Sequence, residues 1–329
     1  MEFLDTYPGT FVVQTMLHSL VAVMLSEAAL VIWALESHHA RFRYRTSTII
    51  LPVLLAVFFS LFFPDRNTFY FARDMALFVS RDWFALSLPG NISVGWVILI
   101  LLGGGTALVF FLQELLPLFR NAFQARGGEP YPLERVDPEI ERLVRDMAAE
   151  LGIQPPELRI LEEDMPTVFT TGARESAIVI STGLLETLSR QQLLATLAHE
   201  MAHIQRRSNF TTLLIFMVRL VTFYNPVSLL MFRRLVQDDE HVCDDITVRL
   251  SGSATALAAT LRLFLQQVPE RAKGMPEMKQ VIMDHSHNLL LMERVSRLEE
   301  MDRLTDESFD WKLFLAIQGI VVVVCYFVI

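Results

Sequence analysis

Four apolar runs constrain this chain more than any other feature of it. They cover about residues 11–35, 47–63, 94–112 and 313–329. A helix of roughly 20 apolar residues crosses a hydrocarbon core of about 30 Å. The chain is 52% hydrophobic and only 20% charged, too apolar for an ordinary soluble protein. The runs therefore predict a helical, multi-pass membrane protein held in a lipid bilayer. The first run follows Met-Glu-Phe-Leu-Asp, which carries no positive charge, so it reads as a retained span and not a cleaved signal peptide.

Lysines and arginines near span ends set the orientation. Arg41, Arg43 and Arg45 in the first loop balance the three arginines of the 64–93 loop. The tail before Phe11 has none, whereas Arg120 and Arg126 follow the third span and Arg303 and Lys312 precede the last. The sum predicts the N-terminus outside and residues 120–312 in the cytoplasm, with the bacterial inner (plasma) membrane as the location. Phe71, Met75, Phe78 and Trp83 fall near helical spacing and suggest a helix lying on the membrane surface. His18 and Glu27 are ionisable groups inside the first span, where such groups are costly and often functional. The net charge of −9 and the lack of a long basic run argue against nucleic acid as a partner. Cys243 and Cys325 lie in an acidic segment and in the last apolar run, so no disulfide is expected.

The chemistry concentrates in Ser189-Arg-Gln-Gln-Leu-Leu-Ala-Thr-Leu-Ala-His199-Glu200-Met-Ala-His203-Ile204. Ser189 and Gln192 have the form of a capping box, which starts a helix. Leu193, Leu194, Leu197 and Met201 give that helix a buried face. His199 and His203 are four apart, so both imidazoles project from one side and can reach one Zn²⁺. Glu200 lies roughly a third of a turn round, facing a zinc-bound water, where a general base belongs. This is the H-E-x-x-H signature of zinc peptidases.

A catalytic zinc needs a third protein ligand. In Gln237-Asp-Asp-Glu240-His241-Val-Cys243-Asp244-Asp245, residues Glu240, Cys243 and Asp244 share one helix face. Glu240 has the reach of a third ligand. Asp244, one turn on, suits an outer role, accepting the N–H of a ligand histidine. His241 points about 100° away, and Cys243 reads better as a small buried thiol than as a ligand. His285 and His287 are further candidates for oxyanion donors or ligands, with solvated loop histidines as the plainer reading.

His199-Glu200-x-x-His203 followed by Glu240-x-x-x-Asp244 resembles the gluzincin pattern. Phe223-Tyr-Asn225-Pro226, Arg233-Arg234 and Glu240-His-Val-Cys-Asp-Asp-Ile resemble the BlaR/MecR-type membrane metallopeptidases. Phe169-Thr-Thr-Gly172 and Ile178-Val-Ile-Ser-Thr-Gly-Leu-Leu-Glu186 also resemble the HtpX and CAAX-prenyl-protease group. The sensor-transducers of the first type carry an extracellular penicillin-binding domain after the last span, and none is expected here. The resemblance implies an α-helical multi-pass membrane protein with an α+β gluzincin-type zinc metalloprotease domain and one Zn²⁺ per chain.

The expected organisation is a membrane domain over residues 1–119, a metalloprotease domain over 120–310 and a C-terminal span over 311–329. An apolar, membrane-associated insertion broken by Asn225-Pro226 is expected near 211–235. Gly127 to Pro132 reads as a linker and Pro138 as the start of a helix. Short strands are expected at 158–161, 168–170 and 177–181, then helices at 254–267 and 289–303. A strand just before the zinc helix is placed to bind an extended peptide by edge pairing. The function so read is endopeptidase cleavage of a protein or peptide, a cytoplasmic regulator in the BlaR/MecR-type reading. An HtpX-like quality-control protease and a non-catalytic zinc-binding signalling module are the alternatives. A second copy of the chain and a separate sensor protein are the partners left open.

Overall fold

The computed structural model describes residues 6–116, 131–132, 138–171, 176–271, 290–301 and 309–329. His285, His287 and residues 127–130 of the linker fall outside these. The chain divides into two units. The first draws on Met1–Ala125, Thr212–Asp238 and Asp306–Ile329, the second on Arg126–Thr211 and Asp239–Thr305.

In the first unit, among the described residues, three helices are long and apolar enough to cross a membrane. They are α1 (Tyr7–Ile32), α2 (His38–Phe62) and α3 (Val94–Leu115). The last apolar run forms a shorter helix, Trp311–Tyr326, of 16 residues. Ala22, Leu55, Phe59, Val321 and Cys325 pack together inside, while Leu54, Leu61, Leu101 and Val323 point outward. Glu27 of α1 is paired, because Arg45 of α2 donates to it at 2.9 Å. His18 is buried against the Val328 carbonyl, 3.3 Å from Nε2.

The 64–93 segment is not one surface helix. It is broken into short helices, Phe69–Asp74 and Ser80–Ala85, and a small hairpin pairing Ser87–Leu88 with Ile92–Ser93. The reason is a distant partner. Leu77 N–H donates to the Phe327 carbonyl at 2.7 Å and Ile329 N–H donates to the Phe78 carbonyl at 3.0 Å, which holds 77–79 out of a helix.

The Asn225-Pro226 break separates two helices, Ser208–Val221 and Pro226–Ser251. Asn225 Oδ1 accepts from Val227 N–H at 3.0 Å, capping the second helix, and Pro226 needs no such partner. The Asn225 side-chain amide also donates to Ser19 Oγ at 2.9 Å.

The second unit is α+β. Its four-stranded sheet contains β1 (Tyr131–Pro132), β2 (Glu157–Leu161), β3 (Val168–Thr171) and β4 (Ala177–Ser181), in the order β1-β2-β4-β3. β4 runs parallel to β2 and antiparallel to β3. Helices α4 (Pro138–Leu151) and α5 (Arg190–Arg206) pack on it through Val144, Ala148, Ile178, Leu197 and Met201. The helix Pro226–Ser251, here α7 after α6 (Ser208–Val221), is followed by α8 (Ala254–Arg271) and by α9, residues 290–299. Leu257, Leu261, Leu291, Val295 and Leu298 join the last two in a second core.

Candidate metal centre

Helix α5 begins at a complete capping box. Gln192 N–H donates to Ser189 Oγ at 3.4 Å, and Ser189 N–H donates to Gln192 Oε1 at 2.9 Å. Leu193, Leu197, Ala198 and Met201 fill the core, which leaves the opposite side of the helix to His199, Glu200 and His203. The two imidazoles stand nearly perpendicular, with their Nε2 atoms 3.2 Å apart.

Glu240 reaches this pair from α7. Its Oε2 lies 3.5 Å from His199 Nε2 and its Oε1 lies 3.6 Å from His203 Nε2. Bonds of about 2.0–2.1 Å at a tetrahedral zinc put donor atoms roughly 3.3 Å apart. The three separations found here fit that spacing. His199, His203 and Glu240 thus form one of two groups of metal-ligating side chains among the described residues.

The other ring nitrogens are engaged as well. His199 Nδ1 lies 3.4 Å from Asp244 Oδ1 and 3.4 Å from the Thr247 hydroxyl. His203 Nδ1 lies 3.3 Å from Cys243 Sγ. With a metal bound, ring protons on Nδ1 would leave both Nε2 lone pairs free for it. Cys243 and Asp239 form the second group with His203. Cys243 is fully buried, and burial pushes its thiol well above the usual range. Arg206 occupies Asp239, at 2.6 Å. His241 is buried away from the three donors, and burial first, then Arg297, lowers its pKa to about 4.

Two contributors were not identified from sequence. Arg294 of α9 donates to both oxygens of Asp244, at 2.9 and 2.7 Å, and meets Glu240 Oε2 at 2.7 Å. Burial raises the pKa of Glu240, but the His199 hydrogen bond and the Arg294 guanidinium outweigh it and hold the carboxyl well below its usual range. The signal for Arg294 was in the pattern, since it interrupts the buried stripe Leu291, Val295 and Leu298 of its own helix. A charge placed there needs a buried partner. The second is Thr170 of β3, whose hydroxyl donates to Glu200 Oε2 at 2.6 Å. No local signal marks it, because its partner lies 30 residues on.

The strand immediately before α5 does not offer an edge. β4 is fully buried and paired on both sides, so a docking peptide has no access to it. Among the described residues the edge strands are β1 and β3, and β3 carries Thr170.

Two histidines one turn apart, a carboxylate between them in sequence and a glutamate from a second helix make the arrangement of a metallopeptidase. The chain belongs to peptidase family M48, whose family model matches residues 134–300. Members of the family are zinc metalloproteases, so membership implies metalloprotease activity. The matched region contains α5, Glu240 and Arg294.

Proposed function

We propose that this chain is an integral-membrane zinc endopeptidase in which His199, His203 and Glu240 hold the ion. The observation that carries the proposal is the convergence of two Nε2 atoms and one carboxylate at 3.2, 3.5 and 3.6 Å. A zinc ion there supplies Lewis acidity, polarising the peptide carbonyl and lowering the pKa of water.

The chain's own residues supply the rest. Arg294 holds Glu240 Oε2, and Asp244 holds the His199 ring by Nδ1. Thr170 occupies Glu200 Oε2 and leaves Oε1 to act as general base. Glu200 takes the proton of the attacking water and hands it to the leaving amine. An extended peptide pairs along the edge of β3, which brings its backbone past Glu200. A general base so oriented argues against a purely structural zinc module.

The three apolar helices support a bilayer location. The Lys and Arg distribution supports a cytoplasmic catalytic domain. A reporter active only outside the cytoplasm should work fused after Ile329 and fail fused near Gly128. The opposite pattern would overturn this topology. The BlaR/MecR-type resemblance then leads to a cytoplasmic regulator as substrate, and the HtpX-type resemblance to damaged membrane proteins. Proteomics of cells carrying wild type or Glu200→Gln tests both. Fragments present only with wild type identify the substrate, and their absence counts against the peptidase reading.

A further inference from the structure

We propose that a cavity of the first unit, at the end where α1 begins, is a regulatory site for a short peptide with free termini, and that binding there is linked to zinc binding through α7. This inference rests on the proposed zinc centre and adds a regulator to it. The cavity measures about 450 Å³, inside the roughly 300–1,000 Å³ of small-molecule sites and enough for about two or three residues. Gln14 of α1, Arg73 and Asp82 line it, with Val13, Ala72 and Val79 as apolar wall.

The lining groups define the occupant. Gln14 is 3% exposed, and its Oε1 has no hydrogen-bond partner among the described residues. A buried carbonyl so placed calls for an N–H or O–H donor. Arg73 gives Nε and Nη2 to Asp74, at 2.6 and 2.9 Å, and keeps Nη1 for a ligand. The Asp82 carboxylate is unpaired among the described residues. An amide N–H for Gln14, an ammonium for Asp82 and a carboxylate for Arg73 are the groups of a peptide with both ends free. A simple anion would face Asp82 as well as Arg73, and a hydrocarbon chain would leave Gln14 without a donor.

Helix α1 is tied to α7 at two places. Thr15, next to Gln14, holds its hydroxyl 2.9 Å from that of Tyr224, and its carbonyl accepts from the Asn225 side-chain amide at 3.3 Å. Ser19 Oγ, one turn on, accepts from the same amide at 2.9 Å, and Asn225 caps α7. Farther along α1, Glu27 takes Arg45, which also takes Asp238 of α7. Asp238 stands two residues before Glu240 on that helix. A ligand on Gln14 therefore bears on the helix that carries a proposed zinc ligand. On the topology proposed above, the cavity lies outside the cytoplasm and reports to a zinc centre within it.

The test uses purified full-length Glu200→Gln protein loaded with zinc in detergent, so that the probe, tri-alanine, is not consumed. Isothermal titration should show saturable binding of tri-alanine. Its acetylated and amidated form should bind on the order of 10-fold more weakly or worse, having lost its charge-assisted hydrogen bonds. Gln14→Leu, and Asp82→Asn at an exposed position, should each weaken tri-alanine by about 10-fold, with zinc content reporting that the variants are folded. Saturating tri-alanine should shift zinc affinity, read by chelator competition, by about 5- to 150-fold, the usual range of coupling between sites. That shift should vanish in Gln14→Leu, which controls for zinc held by the peptide itself. No saturable binding of tri-alanine, equal binding of the capped form or of inorganic phosphate, binding unchanged in both folded variants, or a zinc affinity indifferent to tri-alanine would overturn the inference and leave the peptidase reading intact. A protein that binds tri-alanine but no zinc would overturn the zinc centre and, with it, the linkage.

Discussion

Two arginines in this chain each bind two carboxylates, to different ends. Arg45 holds both oxygens of Asp238, at 2.9 and 2.8 Å, and Glu27 at 2.9 Å. Arg294 holds both oxygens of Asp244, at 2.9 and 2.7 Å, and Glu240 at 2.7 Å. The surroundings differ. Arg234 also approaches Glu27, at 3.5 Å, so two carboxylates face two guanidiniums. Around Arg294 two carboxylates face one guanidinium, which leaves one negative charge over, and the Glu200 carboxylate adds a second. Two imidazole Nε2 atoms converge on that excess. A balanced cluster is structural, while an anionic one with convergent lone pairs suits a divalent cation.

The contrast breaks most sharply at the histidines. Wild type should carry about one zinc per chain, and His199→Ala or His203→Ala should carry almost none by elemental analysis. Full occupancy in His199→Ala would remove the distinction between the clusters. Next in size, Glu200→Gln should keep the metal and lose on the order of 10²- to 10⁴-fold in peptide hydrolysis, the usual contribution of a general base. Retained activity would move the base elsewhere.

The outer groups sharpen the comparison. Asp244→Ala should weaken zinc binding about 10- to 100-fold, as loss of a ligand's hydrogen-bond partner does. Glu240→Ala should weaken it more. Competition titration with a chelator measures both, and the reverse order would exchange the two roles. Arg45→Ala should leave zinc content per folded chain unchanged. It should still lower stability by about 3 kcal/mol, because it strands a buried carboxylate, and thermal unfolding in detergent measures that. Zinc lost along with Arg45 would mean the two clusters are not separable.

Much of this was legible in the sequence wherever the cause was local. His199 and His203 announce their common face by spacing, Ser189 and Gln192 announce the helix start, and Asn225-Pro226 announces a break. Glu240 was legible because its helix carries Asp244 one turn on. What escaped depends on partners far along the chain. Arg294 reaches Asp244 across 50 residues and Thr170 reaches Glu200 across 30. Residues 77–79 are not helical because residues 327–329 pair with them, which no periodicity within 64–93 encodes. Which strand forms the sheet edge depends on the crossover from β2 to β4, and strand order cannot be read from three short apolar runs.

The central claim is that one zinc sits on His199, His203 and Glu240 and not on the neighbouring group of His203, Asp239 and Cys243. Zinc K-edge X-ray absorption of the purified full-length protein separates the two. The account predicts two imidazole nitrogens and oxygen at about 2.0–2.2 Å with no sulfur shell. A sulfur scatterer at about 2.3 Å would contradict it and move the ion to Cys243.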